Sequence, residues 1–237
     1  MSHGLWDVLV LTTLAGLSIP IGAGLALLRF NLLSDFAASE ARHSVTAFGA
    51  GALLAAVALV LIPEGTKLLR PIPALAWFVV GALAFAVIDR ALANSGTKAA
   101  QFLAMMMDYL PEAMALGALV TGNFETALLV AALIALQNLP EGFNAMGELR
   151  ASSTLHPLLL LAAFAVMVPL GPLAGAAGFM IGPDAPLIGA VMMLASGGIL
   201  YLMFQDIAPQ IPLENAWAPP LGAALGFLVG LTGDLLI

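Results

Sequence analysis

DYLPEAMALGALVTGNFETALLVAALIALQNLPE, residues 108–141, carries one short pattern twice: Leu110-Pro111-Glu112 and Leu139-Pro140-Glu141. Each copy lies inside a long apolar run, so each sets a carboxylate directly after a proline in mid-helix. A proline there has no N–H to donate and displaces the carbonyl four residues back, here those of Met107 and Leu136. In a bilayer, carbonyls so freed must face a partner, a cavity or an ion. The pattern offers carboxylates and loosened carbonyls together on two successive helices, and cation binding is the reading it favours.

The rest of the chain supplies the membrane class. Of 237 residues, 62% are hydrophobic and 9% charged, and mean hydropathy is +1.06. That composition predicts an all-α, polytopic membrane protein. Eight spans are predicted, at roughly 5–28, 44–63, 72–92, 99–121, 124–148, 156–181, 186–208 and 218–237, each near the ~20 residues that a bilayer requires. Residues 1–237 read as a single transmembrane domain with short loops. The longest connections are Arg29–His43, where Ser34 and Asp35 are candidate helix caps, and the proline-rich Gln210–Pro220. The N-terminus lacks a basic n-region and a clear cleavage site, so the first run is expected to be a retained span.

Net charge is −7, from fourteen acidic and seven basic residues. No basic patch exists, which argues against a nucleic-acid partner. The absence of cysteine excludes disulfides and thiolate metal sites. Arg29, Arg42, Arg90, Lys98 and Arg150 gather on one side of the predicted spans, and Lys67 and Arg70 on the other. The positive-inside rule then predicts a cytoplasmic position for the larger set. Both termini are expected outside, in a multi-pass protein of the cell (inner) membrane.

A carboxylate near the bilayer centre costs about 2.5–3.5 kcal/mol on insertion scales. Asp108, Glu112 and Glu141 are three such groups, and all seven Lys and Arg fall near span ends. Either these acids hold protons as hydrogen-bonded structural groups, or they take a cation from solution. Intramembrane acids default to function, and spacing strengthens that reading. Asp108 and Glu112 are i, i+4, as are Gln137 and Glu141, while Asn138 and Glu141 are i, i+3. A turn near Gly122-Asn123 sets Asp108 and Gln137 at similar depth, with Glu112 and Glu141 about one turn, ~5 Å, to either side. Helical side chains lean toward their own N-terminus, so across antiparallel helices Glu112 and Glu141 lean toward each other. The expectation is four or five oxygen donors around one point: Asp108, Glu112, Gln137, Glu141 and Asn138.

Gln137, Glu141, Asn144 and Glu148 then form a polar stripe running to the cytoplasmic end of the fifth span. In lipid such a stripe must face a neighbour or a wet path; a path is the preferred reading. Glu64 and Glu125 would draw cations to an outer entrance, although solvated loop acids explain them nearly as well. Asp206, near the inner end of the seventh span, either pairs with an arginine or lines an exit. Gly16, Gly22, Gly24, Gly49, Gly51, Gly171, Gly175 and Gly178 read as small faces for close helix packing. The Gly-Ala-Gly stretches at 22–24 and 49–51 lack the third glycine and strand context of a dinucleotide loop. Met105-Met106-Met107 cannot all face one point on a helix, and packing is their better explanation.

Taken together, these residues resemble the ZIP (Zrt/Irt-like) family of divalent metal transporters, over most of the chain. Eight spans with a Pro-Glu motif in the fourth and fifth are similar to that family. So are Ala47-Phe48-Gly49-Ala50-Gly51-Ala52 through Pro63-Glu64, Asp89-Arg90 at the end of the third span, Asn138-Leu139-Pro140-Glu141-Gly142, and Gln205-Asp206 with Pro209. The resemblance implies a ZIP-like bundle with a metal site between the fourth and fifth helices, with Asp108, Glu112, Gln137, Asn138 and Glu141 as ligand candidates. It also implies that the cargo is a divalent ion such as Zn²⁺, Mn²⁺ or Fe²⁺. The departures matter. The family's fourth-helix His is Asp108 here and the following Asn is Tyr109. The fifth-helix His of many members is Gln137, a sixth-helix Glu is Val168, and a polar residue before the second-helix Pro-Glu, here Pro63-Glu64, is Val60. The histidine-rich third loop is absent, and His3, His43 and His156 lie at span edges.

The leading expectation is divalent cation transport, in the import direction, by alternating access around a midplane oxygen site. Its partners would be the ion and the bilayer, with a homodimer compatible. One alternative is a divergent relative that binds or senses another cation. The other is an intramembrane enzyme built on a carboxylate dyad, but the Gly-x-Gly-Asp signature of an aspartyl protease is missing, and Thr232-Gly233-Asp234 is only superficially similar. A non-enzymatic role is therefore favoured.

Overall fold

The structure, a computed structural model, describes residues 3–28, 35–95, 99–211 and 216–237. Among these the chain is helical, with no strand. Helix α1 is Leu5–Leu25. Helix α2 is one continuous rod made of Asp35–Ala55, a π segment Ala56–Leu61, and Ile62–Leu68. Helices α3, α4 and α5 are Pro71–Ser95, Ala99–Gly122 and Phe124–Ser152. Helix α6 comes in two pieces, Pro157–Met167 and Leu170–Ile181. Helix α7 runs from Pro186–Leu202 into a π segment, Met203–Ile207, and a 3₁₀ turn, Ala208–Gln210. Helix α8 is Ala218–Leu236. Seven of these rods among the described residues are long and apolar enough to cross a membrane. Helix α4 has 24 residues and carries Asp108 and Glu112 in mid-length. The chain is a helical bundle of the multi-pass membrane kind.

The main departure from the sequence reading concerns the first long connection. From Asp35 onward it is already helical, so α2 begins well before residue 44. The stretch around Ala41 is rich in good helix formers, and His43 Nδ1 lies 2.6 Å from the Ser39 carbonyl, one turn back. Ser34, the Asp35 side chain, Arg29 and Lys98 lie outside the described residues. The predicted turn between the fourth and fifth spans is a single residue: α4 ends at Gly122 and Asn123 caps α5, its side chain accepting from Thr126 N at 3.2 Å.

The prolines act unequally. Helices α4 and α5 run unbroken through Pro111 and Pro140, whereas α6 breaks at Val168-Pro169 and restarts with a tight turn, Gly171 N–H to Val168 carbonyl at 3.2 Å. Each π segment is followed by a proline, Pro63 in α2 and Pro209 in α7. Widening the turn to i→i+5 is one way a helix passes such a residue.

Packing is organised by glycine. A Cβ on Gly142 would strike the Ile19 carbonyl, one on Gly226 the Phe48 carbonyl, one on Gly197 the Phe78 carbonyl and one on Gly178 the Met114 carbonyl. These approaches define four tight pairs: α1 with α5, α2 with α8, α3 with α7, and α4 with α6. Each pair runs parallel. Ser44, Phe48 and Ala55 of α2, for example, meet Gly222, Gly226 and Gly230 of α8 in the same order. Contacts sort the rods into two bundles, α1/α4/α5/α6 and α2/α3/α7/α8, which meet chiefly where α2 lies on α5 and α7 on α4. Replacing α1, α2, α3 and α4 by α6, α7, α8 and α5 carries pair α1/α5 onto α6/α4 and pair α2/α8 onto α7/α3. The same exchange carries the α2 π segment onto that of α7, Pro20 of α1 onto Pro169, and Pro111 onto Pro140. Each element maps onto one of opposite direction, the pattern of an inverted-topology repeat.

Candidate functional site

The site is built where α4 and α5 face the second bundle. On α4, Met105, Asp108 and Glu112 share one face, being i, i+3 and i+7. On α5, Gln137, Glu141, Asn144 and Glu148 do the same. Side-chain exposure falls to 5% at Asp108, 1% at Glu112 and Asn138, and zero at Gln137. Along α5 the stripe opens stepwise: Gln137 is sealed, Glu141 and Asn144 are half-buried, and Glu148 is exposed.

A cavity of about 320 Å³ follows that gradient. Its wall includes Asp108, Gln137, Glu141, Asn144, Glu148 and Asp206, together with Thr46 and Gly49 from α2 and Asp89 from α3. It therefore lies between the two bundles and opens beside Glu148 and Ala93, both exposed. Glu112 is not part of this wall. It sits behind Gln137, whose Nε2 donates to Glu112 Oε2 at 2.5 Å, so this bond forms the floor. Asp108 Oδ1 accepts from the Tyr109 backbone N–H at 2.8 Å. Asn138 turns toward α1, its Nδ2 donating to the Ala15 carbonyl at 3.5 Å. Nearer the mouth, Asn144 Nδ2 donates to Thr46 Oγ1 at 2.8 Å, and the Thr46 hydroxyl donates in turn to the Arg42 carbonyl.

Among the described residues, three buried side-chain oxygens have no hydrogen-bond partner in the protein: Glu112 Oε1, Gln137 Oε1 and Asn138 Oδ1. Each such orphan costs about 1–3 kcal/mol, and all three belong to residues that the sequence singles out. Each of these oxygens keeps a lone pair that a hydrogen-bond donor or a cation could take up. The ion pairs among the described residues, His3 with Asp7 and Lys67 with Glu64, lie elsewhere. Among the described residues no group of three or more His, Cys, Asp or Glu side chains is arranged to hold a metal ion. A cation here would rest on carboxylates combined with amide oxygens, and these residues fit that mixed set.

Of the five ligand candidates, the cavity brings Asp108, Gln137 and Glu141 together, Glu112 joins through Gln137, and Asn138 is directed at α1. Of the pathway candidates, Asn144, Glu148 and Asp206 line the cavity. Glu64 is instead paired with Lys67 at 2.6 Å, and Glu125 is exposed. Asp89 and Thr46 are wall residues that the sequence reading did not place in the site. Asp89 closes the third span at the depth where Asp206 closes the seventh, and Tyr201 Oη donates to its Oδ2 at 3.1 Å; that shared depth was the available signal. No family model matches the chain, and no curated protein matches it.

Proposed function

We propose that the protein carries divalent cations across the membrane, in the manner of the ZIP-like transporters that its motifs resemble, with release into the cytoplasm. The observation that carries this reading is the set of three buried oxygens on Glu112, Gln137 and Asn138 that have no hydrogen-bond partner in the protein, one on a residue that lines the carboxylate-bearing cavity and a second directly behind it. A structural acid would be expected to satisfy both its oxygens; these are held open at membrane depth. Toward the other face the way is shut by buried apolar side chains of α4, α5 and α7, among them Leu116, Leu133, Ile188 and Met192. A site reachable from one face and sealed from the other is one half of an alternating-access cycle. The bundles of the inverted repeat supply the parts that would exchange. With both termini outside, the open face is the cytoplasmic one.

The test is uptake of radioactive Zn²⁺ and Mn²⁺ into proteoliposomes by the unmodified protein and by Glu141→Gln. Uptake that the substitution abolishes supports transport. Binding of the ion without uptake would assign the protein to sensing or sequestration instead.

A further inference from the structure

The cavity wall contains one side chain whose chemistry differs from all the others. Met105 is 8% exposed and lines the cavity with Asp108, Gln137 and Glu141. It precedes Asp108 by three residues, so both project from the same face of α4. Met105 and Met106 both pack in the buried core, but only Met105 also reaches the cavity wall. The run of three methionines is thus divided by helix geometry, and a single thioether is delivered to the polar cavity. Among the described residues the wall contains no histidine, and the chain has no cysteine. Oxygen donors alone would suit hard ions such as Mg²⁺, Ca²⁺ and Mn²⁺, whereas a thioether shifts a site toward softer ones.

We infer that Met105 Sδ is a donor of the cation site, a single sulfur contact that raises its preference for the softer Cd²⁺ over the harder Mn²⁺. This rests on the reading of Asp108 and Glu141 as a cation site. A leucine would fill the same volume without the sulfur, so packing and ligation separate cleanly.

The experiment uses the full chain in lipid nanodiscs, with Cd²⁺ and Mn²⁺ as probes. X-ray absorption at the cadmium edge should show one sulfur neighbour among oxygens in the unmodified protein, and oxygens alone in Met105→Leu. The preference for Cd²⁺ over Mn²⁺, measured by competition, should fall on the order of tenfold in that variant, the lower range for loss of an outer-shell partner, with Mn²⁺ affinity unchanged. Bound Cd²⁺ without a sulfur neighbour in the unmodified protein would overturn the inference, and needs no variant to fold. So would a sulfur signal, or a preference, that survives in Met105→Leu. Glu141→Gln isolates the underlying reading: it should weaken both ions. If it binds both as the unmodified protein does, the oxygen site itself is misassigned and the role of Met105 falls with it.

Discussion

Glu112 and Gln137 each make one hydrogen bond, to the other, and each leaves one oxygen open. A single ion seated on those oxygens would couple the two helices, and Glu141 would approach it from the cavity side. Glu112→Ala and Glu141→Ala are therefore each expected to weaken cation binding by at least about tenfold, the least that loss of even an outer partner costs. The double variant should add little to the worse single one, because residues serving one ion are not independent. Titration calorimetry in detergent checks this, and normal binding by both single variants would move the site elsewhere. Asp108 tests the choice of ion. Imidazole suits zinc better than a carboxylate does, while oxygen suits manganese, so Asp108→His should raise preference for Zn²⁺ over Mn²⁺ in competition at fixed pH. An unchanged ratio would mean that this side chain does not reach the ion. The acids and the stripe were legible in the sequence because i, i+3 and i+4 spacing survives into any helix. Thr46 and Asp89 were not, because they arrive from other helices and only tertiary packing sets them beside α5.

Element boundaries were legible from hydropathy to within a few residues for seven of the eight spans, since an apolar run of bilayer length has one stable form in lipid. The early start of α2 was missed because a polar helical turn beyond the membrane has no apolar signature. Proline behaviour was equally hidden. Pro111 and Pro140 sit in helices that run on, whereas Pro169 breaks α6, and the identity of the residue is the same in each case. What the sequence did carry was the glycine pattern, and it maps onto backbone contact. Gly226 packs against the Phe48 carbonyl with no room for a Cβ. Gly226→Leu should force α8 away from α2 and destabilise the bundle by about 3 kcal/mol, the upper range for overpacking. The measurement is thermal unfolding in detergent, with Gly24→Leu as the comparison, since a Cβ on Gly24 meets only the Leu161 side chain at 4.0 Å. Equal losses for the two would mean that small faces are not what holds α2 to α8.

At the scale of the molecule, two four-helix bundles enclose the cavity, and the proposed transport would require them to change their relation. On the proposed reading, the direction of transport depends on topology: eight crossings would set both termini on one side, and the base count would set that side outside. A reporter fused after Ile237 should therefore behave as extracytoplasmic; cytoplasmic activity would undo both the span count and the charge argument. Motion can be tested separately, because the two bundles are joined near the open mouth by the bond from Asn144 Nδ2 to Thr46 Oγ1, at 2.8 Å. The chain has no cysteine, so Thr46→Cys with Asn144→Cys creates the sole pair of thiols. Their side chains already touch across the α2–α5 boundary. Bridging them with a short bifunctional thiol reagent should fix the bundles with the cavity open and stop uptake. Removing the bridge with reductant, where the reagent allows it, should restore uptake. Cation binding from the open side should persist throughout, since neither residue is among the ligands. The outcome that counts against rearrangement of the bundles is full uptake by the bridged protein, with the bridge confirmed by mass: the two would then remain fixed at this boundary while ions cross.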